Sequence, residues 1–308
     1  MQEAEYDLAQ NRSVRAVGTA TRIRAEIVIL LLLYVMLSPL VSMPLYERLT
    51  FIPAAEYSGP VVSSQMQRIL SSDGIKKCDV TFSGPNGKRL HGWFFKKAPL
   101  GKVMLVSHGK DGNMSDRLIL TQALLSCGTS VFLYDYEGYG ESEGSPTVQR
   151  ICQDGLAAYD YLVGQEKIPS KDIIAYGESI GTGVTCYLST QRPVSGLILQ
   201  TAFPSLIYAA HDHLWYTWLY PDSWFPDLNN LAVLKEPHPP VLIIHGKDDR
   251  FLPPRYSQFL FDRACEPKQL KLIDKLEHYK IRADDQQFAE AIKQFMSALK
   301  STKLESGT

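Results

Sequence analysis

Residues 172–181 read Asp-Ile-Ile-Ala-Tyr-Gly-Glu-Ser-Ile-Gly, and the reading of this stretch decides the rest of the chain. The run 172–176 is short and apolar, as a buried strand is, and from Ile180 onward apolar residues recur at helical spacing. Between them Gly177 and Gly181 flank Ser179, where side chains would collide. A strand running into a sharp turn and then a helix is a nucleophile elbow, which holds a serine oxygen exposed at a helix N-terminus. The pattern Gly-Glu-Ser-x-Gly occurs a second time, at 140–144. There the preceding strand ends at Asp135, and Ser142 runs on into Gly144-Ser-Pro-Thr147, a loop that closes on a helix cap. Ser179 is therefore the candidate nucleophile and Ser142 a structural residue.

Outward from the elbow, short apolar runs lie at 103–106, 131–134, 197–200, 241–244 and 270–273. Strands apolar on both faces are covered on both, which implies an α/β fold with a mostly parallel central sheet between helices. The helices are expected at 116–126, 148–163, 180–190, 254–264 and 284–299, and a β-hairpin at 78–82 and 90–95 around Gly84-Pro-Asn-Gly87. One stretch, about 203–236, breaks the alternation and is crowded with aromatics (Trp215, Tyr216, Trp218, Tyr220, Trp224, Phe225). It reads as a short cap that lines an apolar pocket above the sheet.

A serine hydroxyl is a weak nucleophile until a base takes its proton. In this arrangement the acid and then the histidine follow the serine along the chain, each on a loop after a strand. The strand 241–244 runs on through His245-Gly-Lys-Asp-Asp249 into a turn, and the strand at 270–273 is followed within a few residues by His278. Asp249 is preferred to Asp248 because it opens the Asp-Arg-Phe-Leu-Pro turn that leads into the next helix, and its role would be to orient His278. Oxyanion donors are expected from the amides of Ile180, after the nucleophile, and Lys110, in the loop after the third strand. His108 reads as a brace of that loop, and His211-Asp-His213 as a polar helix edge, two histidines at such spacing being weak evidence for a metal. The required set is Ser179, Asp249, His278, Lys110 and Ile180, with no metal and no organic cofactor.

Composition excludes other classes. The 308 residues carry a formal charge of -1 and 45% hydrophobic residues, enough for one large domain and an appendage, and no basic stripe marks a nucleic-acid surface. Five scattered cysteines without C-x-x-C spacing argue against a disulfide framework, and Cys127 and Cys186 read as small buried hydrophobes.

The appendage is N-terminal. Residues 27–43 are almost wholly apolar and free of charge, near the ~17-residue minimum for a membrane span. Arg12, Arg15, Arg22 and Arg24 precede them, a bias that places the N-terminus in the cytoplasm and the catalytic domain on the translocated side. The expected organisation is a tail at 1–25, an uncleaved signal anchor at 26–46, a connector at 47–75 and the catalytic domain at 76–302. A cleaved signal peptide and a core helix are the rival readings of the apolar run.

Four motifs carry a family resemblance: His108-Gly-x-x-Gly-Asn113, Asp135-Tyr-x-Gly-Tyr-Gly-x-Ser-x-Gly144, Gly177-x-Ser-x-Gly181 and His245-Gly-x-x-Asp249 with Pro253. Together they resemble the α/β-hydrolase superfamily, and within it the membrane-anchored serine hydrolases similar to the α/β-hydrolase domain-containing 13 and 17 and Bem46-like proteins. Lys110, Asp111, Glu277 and Tyr279-Lys280 depart from the family's usual pattern and put charge at the mouth of the site. The resemblance implies a serine hydrolase acting on an acyl ester, thioester or lipid through an acyl-enzyme. A peptidase or amidase with the same triad is the alternative within enzymes, and a catalytically silent membrane-tethered binding module the alternative outside them.

Overall fold

In the computed structural model, which describes residues 19, 21–57, 60–71, 74–85, 87–278, 281–283 and 285–305, the apolar runs become one eight-stranded sheet. Its strands are β1 (Ile75–Ser83), β2 (Arg89–Lys97), β3 (Val103–Ser107), β4 (Ser130–Tyr134), β5 (Ile173–Glu178), β6 (Gly196–Gln200), β7 (Val241–Gly246) and β8 (Lys268–Ile273). The spatial order is β8-β7-β6-β5-β3-β4-β2-β1. β1 pairs antiparallel with β2, and β2 with β4; every pair from β4 through β3 to β8 is parallel. β3 to β7 are buried residue by residue, as continuous apolar runs require, whereas the edge strands β1 and β8 are partly exposed.

The appendage supplies α1 (Thr21–Met36), α2 (Pro39–Thr50) and α3 (Pro60–Leu70). The main body adds α4 (Leu118–Ser126), α5 (Val148–Gly164), α6 (Gly181–Gln191), α7 (Leu206–His213), α8 (Asn230–Leu234), α9 (Arg255–Arg263) and α10 (Gln286–Glu305). One apolar layer packs residues of α5, α6 and α9 on one face of the sheet, and another packs α4, α10 and Ile69 of α3 on the other. From β3 the chain moves to β4 on one side and then back to β5 on the other, so the strand order reverses between β3 and β5. In open α/β sheets the crevice at the carboxyl ends of such strands is where ligands bind.

The N-terminal segment differs from expectation in two ways. The helix expected at 26–46 is broken at Leu37 and Ser38, and α1 and α2 meet at 52°. The cause is local: Pro39 disfavours helical backbone at Ser38, which is extended (φ -67°, ψ 146°), so α2 starts afresh with Pro39 in its first turn. Among the described residues no single helix is long and apolar enough to cross a membrane; the bent pair meets the length and composition required. The stretch expected as a connector is folded onto the body. Ile52 and Pro53 pair with Asp111 and Gly112, and Ile69 of α3 is buried in the core. Most of the expected tail, with Arg12 and Arg15, lies outside the described residues, as do the turn residue Asn86, Tyr279 and Lys280, and Asp284.

Candidate active site

The elbow forms where β5 runs into α6. Ser179 stands at φ 53°, a left-handed conformation that strains a non-glycine residue by ~1–3 kcal/mol. Both flanking glycines are needed for it. A Cβ on Gly177 would lie 2.4 Å from Gly181 O, and one on Gly181 would lie 2.0 Å from Ser107 O. The turn is held by Ser179 N donating to Gln200 O at 3.0 Å and by the Thr182 hydroxyl donating to Ser179 O at 2.6 Å.

Asp249 leaves the end of β7, and His278 the loop after β8. His278 Nδ1 is 2.6 Å from Asp249 Oδ2, and both residues are buried. Asp249 Oδ1 accepts the amides of Phe251 and Leu252, both at 2.9 Å, which fixes the carboxylate in rotation. Buried His245 faces the same carboxylate, its Nε2 3.3 Å from Asp249 Oδ2 and 2.8 Å from Leu252 O. Burial alone would raise the Asp249 carboxyl; the hydrogen bonds from His245 and His278 and the charge of His278 outweigh it and hold the group well below the usual carboxylate range. The neighbouring Asp248 is exposed.

The loop after β3 carries Lys110. His108 is wholly buried there, with Nδ1 2.7 Å from Gly109 O. Because a peptide unit is planar, fixing the Gly109 carbonyl also fixes the direction of the Lys110 N–H on the opposite side. The tyrosines of the Asp135-Tyr-x-Gly-Tyr stretch secure the loop's other carbonyls: Tyr136 donates to His108 O at 2.9 Å and Tyr139 to Lys110 O at 2.6 Å. Asp135 Oδ1 accepts the Met114 amide at 2.7 Å. Among the described residues neither the Lys110 nor the Ile180 amide is given to a backbone acceptor.

Sequence reasoning missed a buried ion pair behind these groups. Arg117 donates from Nη2 to Glu178 Oε1 at 2.9 Å and from Nη1 to Asp111 O at 2.8 Å. It thereby ties the loop that bears Lys110 to the residue preceding Ser179. The partners are 61 positions apart, so no local pattern announces them.

Lys110, Ser179 and Ile180 line a single cavity of about 340 Å³, within the range of small-molecule sites. Its walls are mostly apolar: Phe203, Leu206, Ile207, Leu214, Tyr216 and Phe225 from the 203–236 insertion, Phe251 and Leu252 from the loop after β7, and Tyr46 and Leu49 from α2, with His213, Thr217 and Thr50 as polar members. No carboxylate is among the lining residues. The Phe251 ring also meets the His278 ring, 5.0 Å between centroids. The contribution of α2 was not foreseen, since an anchor helix is expected to face lipid. The expected charged rim is partly self-neutralised, Lys110 Nζ lying 2.9 Å from Asp111 Oδ1.

The remaining candidates have other duties. Ser142 is buried, its hydroxyl donating to Asp135 O at 2.8 Å and accepting the His91 amide at 2.9 Å, so it pins the glycine-rich loop to β2. His211 sits between Thr217 Oγ1 at 2.8 Å and Asp222 Oδ1 at 2.9 Å, and Asp212 pairs with Arg255 and Tyr256. Among the described residues no group of three or more His, Cys, Asp or Glu is placed to hold a metal ion. Cys127 and Cys186 are buried.

Comparison with known proteins gives consistent relatives. The family model for serine aminopeptidase, S33, matches residues 98–219. An uncharacterized protein of Mycobacterium tuberculosis is 33% identical over 258 residues, 82% of this chain and 87% of its own. The alpha/beta hydrolase domain-containing protein WAV2 of Arabidopsis thaliana is 30% identical, covering 71% of this chain and 75% of its own. The human alpha/beta hydrolase domain-containing protein 17B is 30% identical over 68% of this chain and 72% of its own. Among solved structures, an esterase of Pyrococcus furiosus superposes with a TM-score of 0.64 at 16% identity, over 81% of this chain and 97% of that one.

Proposed function

Since the chain belongs to the α/β-hydrolase family, we propose that it is a serine hydrolase that cleaves a carboxylic ester or thioester with an apolar acyl group, through an acyl-enzyme. Ser179 Oγ attacks the acyl carbon and His278 takes its proton. The imidazolium is held by Asp249, and the amides of Lys110 and Ile180 hold the oxyanion. The intermediate collapses as His278 returns the proton to the departing alkoxide or thiolate. Water, deprotonated by His278, then releases the acid and restores Ser179.

The observation that carries this reading is the cavity, a mostly apolar chamber with Ser179 in its wall and no carboxylate in its lining. The matched family model bears the name of serine aminopeptidases, and such an enzyme must hold a free ammonium beside the nucleophile. The lining offers no anion to hold it, which favours an acyl substrate over a peptide N-terminus. We also propose that α1 anchors the protein in a membrane with its N-terminus in the cytoplasm and the catalytic body on the translocated side. The exposed apolar surface along α1, with Arg22 and Arg24 near its start, supports this.

Fluorophosphonate labelling tests the assignment. Ser179→Ala is expected to abolish labelling and Ser142→Ala to retain it; labelling lost only in Ser142→Ala would reverse the two serines. Turnover of p-nitrophenyl esters of rising chain length, against aminoacyl amides, separates the two substrate classes, and preferential amide cleavage would defeat the acyl reading.

A further inference from the structure

The cap and α1 are one surface. Tyr34, two residues before the end of α1, stacks on Tyr220 with centroids 4.8 Å apart. Its hydroxyl donates to Leu219 O at 3.0 Å, while the Tyr220 hydroxyl donates back to Tyr34 O at 3.0 Å. The exit end of α1 is thus fastened to the segment Leu214-Trp-Tyr-Thr-Trp-Leu219, which carries no charge. Trp215 and Trp218 of that segment are 76% and 69% exposed, and Leu219 and Leu214 are exposed beside them. The outer residues of α2, Leu40, Val41, Leu45 and Leu49, extend the apolar face. Contiguous exposed apolar area of this kind marks an interaction site.

We propose that this face, the 214–219 segment of the cap with the outer side of α2, inserts into the surface of the lipid bilayer that α1 enters, so that the substrate cavity loads from the membrane. The inference rests on the anchored reading above and adds a second membrane contact to it. Length gives the argument its force. α1 (Thr21–Met36) carries Arg22, Arg24 and Glu26 in its first six residues, so its charge-free part, residues 27–36, rises ~15 Å, about half of the ~30 Å hydrocarbon core. An apolar interfacial face sinks ~5–10 Å into the headgroup and acyl boundary, which makes up much of the shortfall. Tryptophan and tyrosine favour that level, because each ring is apolar with one polar edge. The cavity lies directly beneath: Leu214, Tyr216 and Thr217 alternate with the exposed tryptophans and line it, and Leu49 lines it from α2. A long acyl chain could pass from lipid to Ser179 without crossing water.

The test uses the full chain in phosphatidylcholine vesicles containing phospholipid brominated near the top of its acyl chains. Two of the four tryptophans are on the proposed face; Trp93 is buried in the body. Bromolipid is expected to quench wild-type emission, and Trp215→Phe/Trp218→Phe to lose most of the quenchable component while still floating with the vesicles. Ser179→Ala should be quenched as wild type is, which keeps this outcome separate from the hydrolase reading. Quenching by aqueous iodide instead of bromolipid would put the face in water and overturn the inference, and protection from both would assign it to a second copy of the chain. Protein that fails to float would overturn the anchor and this inference together. A functional arm follows: Trp215→Asp/Trp218→Asp should leave a water-soluble short ester unaffected and slow hydrolysis of a vesicle-embedded long-chain ester by about tenfold or more. Equal rates on the embedded ester would also refute it.

Discussion

Replacing Asp249 by asparagine tests the proposed triad at the point where the geometry is most constraining. Oδ1 of Asp249 receives two backbone amides, Phe251 and Leu252, both at 2.9 Å. An asparagine must turn its carbonyl oxygen toward them, because its NH2 would face two donors there. The NH2 then falls where Oδ2 was, 2.6 Å from His278 Nδ1. Since that group donates, Nδ1 must accept, and the ring proton is driven to Nε2. Nε2 is the nitrogen that has to take the Ser179 proton, so the imidazole is locked in the unproductive tautomer. A loss of about 10⁴ in kcat is expected, or ~5 kcal/mol of transition-state stabilisation. Folding suffers less, because both backbone bonds survive and only the charge-assisted bond to His278 weakens, by ~1–3 kcal/mol. The assay is the rate of fluorophosphonate labelling together with kcat on a short ester, with near-UV circular dichroism to establish folding. Asp248→Asn, at an exposed neighbour, should change kcat by no more than about twofold, its charge being screened. Retention of more than about a tenth of wild-type kcat in folded Asp249→Asn would refute the argument, since the tautomer lock predicts a far larger loss.

Three further outcomes are expected. Gly181→Ala places a Cβ 2.0 Å from Ser107 O and 2.8 Å from His108 O, both backbone atoms; urea unfolding should show a loss of ~3 kcal/mol or more, and labelling should slow as the Lys110 loop is displaced. Arg117→Met leaves Glu178 buried without its cation and should destabilise by ~3–5 kcal/mol, while adding Glu178→Leu should recover much of the stability but not the turnover, because Asp111 O still lacks its donor. Asp154 is raised from 3.8 to about 7 by burial, with the Glu137 charge adding to it, although the Glu137 amide it accepts works the other way. Its folded form therefore holds a proton that the unfolded chain releases, so it favours the fold below about pH 4 and that contribution is lost as pH rises to 7, by at most ~1.4 kcal/mol per unit; Asp154→Asn should flatten the slope of stability between pH 4 and 7, and an unchanged slope would assign it elsewhere.

The strands were legible because burial on both faces leaves an uninterrupted apolar run, and β3 to β7 are of that kind. The elbow was legible because its glycines answer a local steric demand, visible in a pentapeptide and its flanks. Chain order singled out Asp249 and His278, and the structure brings their side chains to 2.6 Å of each other. The break in the N-terminal helix was also written in the sequence, as Ser38-Pro39, but uniform apolarity outweighed it in the reading. Arg117 and Glu178 left no trace, since an ion pair spanning β3 to β5 has no period. Nor did α2 as a wall of the cavity, because an apolar helix is read as lipid-facing when the surface that covers it lies 170 or more residues further on, as Tyr216 and Phe225 do from Tyr46.

That division bears on what determines the substrate. The matched family model, residues 98–219, includes the elbow, the Lys110 loop and part of the cap, and stops before Asp249 and His278. α2 lies before it altogether. Yet Tyr46, Leu49 and Thr50 of α2 close the cavity against Tyr216 and Phe225 of the cap. The sheet and elbow thus fix where Ser179 stands, and the enclosure that would select the proposed acyl group is made by two segments whose meeting depends on the 52° bend after α1. A straight helix through residues 26–46 would carry Tyr46 and Leu49 away from the cap and open the cavity to one side. The proline that breaks the N-terminal helix is, on this geometry, what turns its second half into a wall of the cavity.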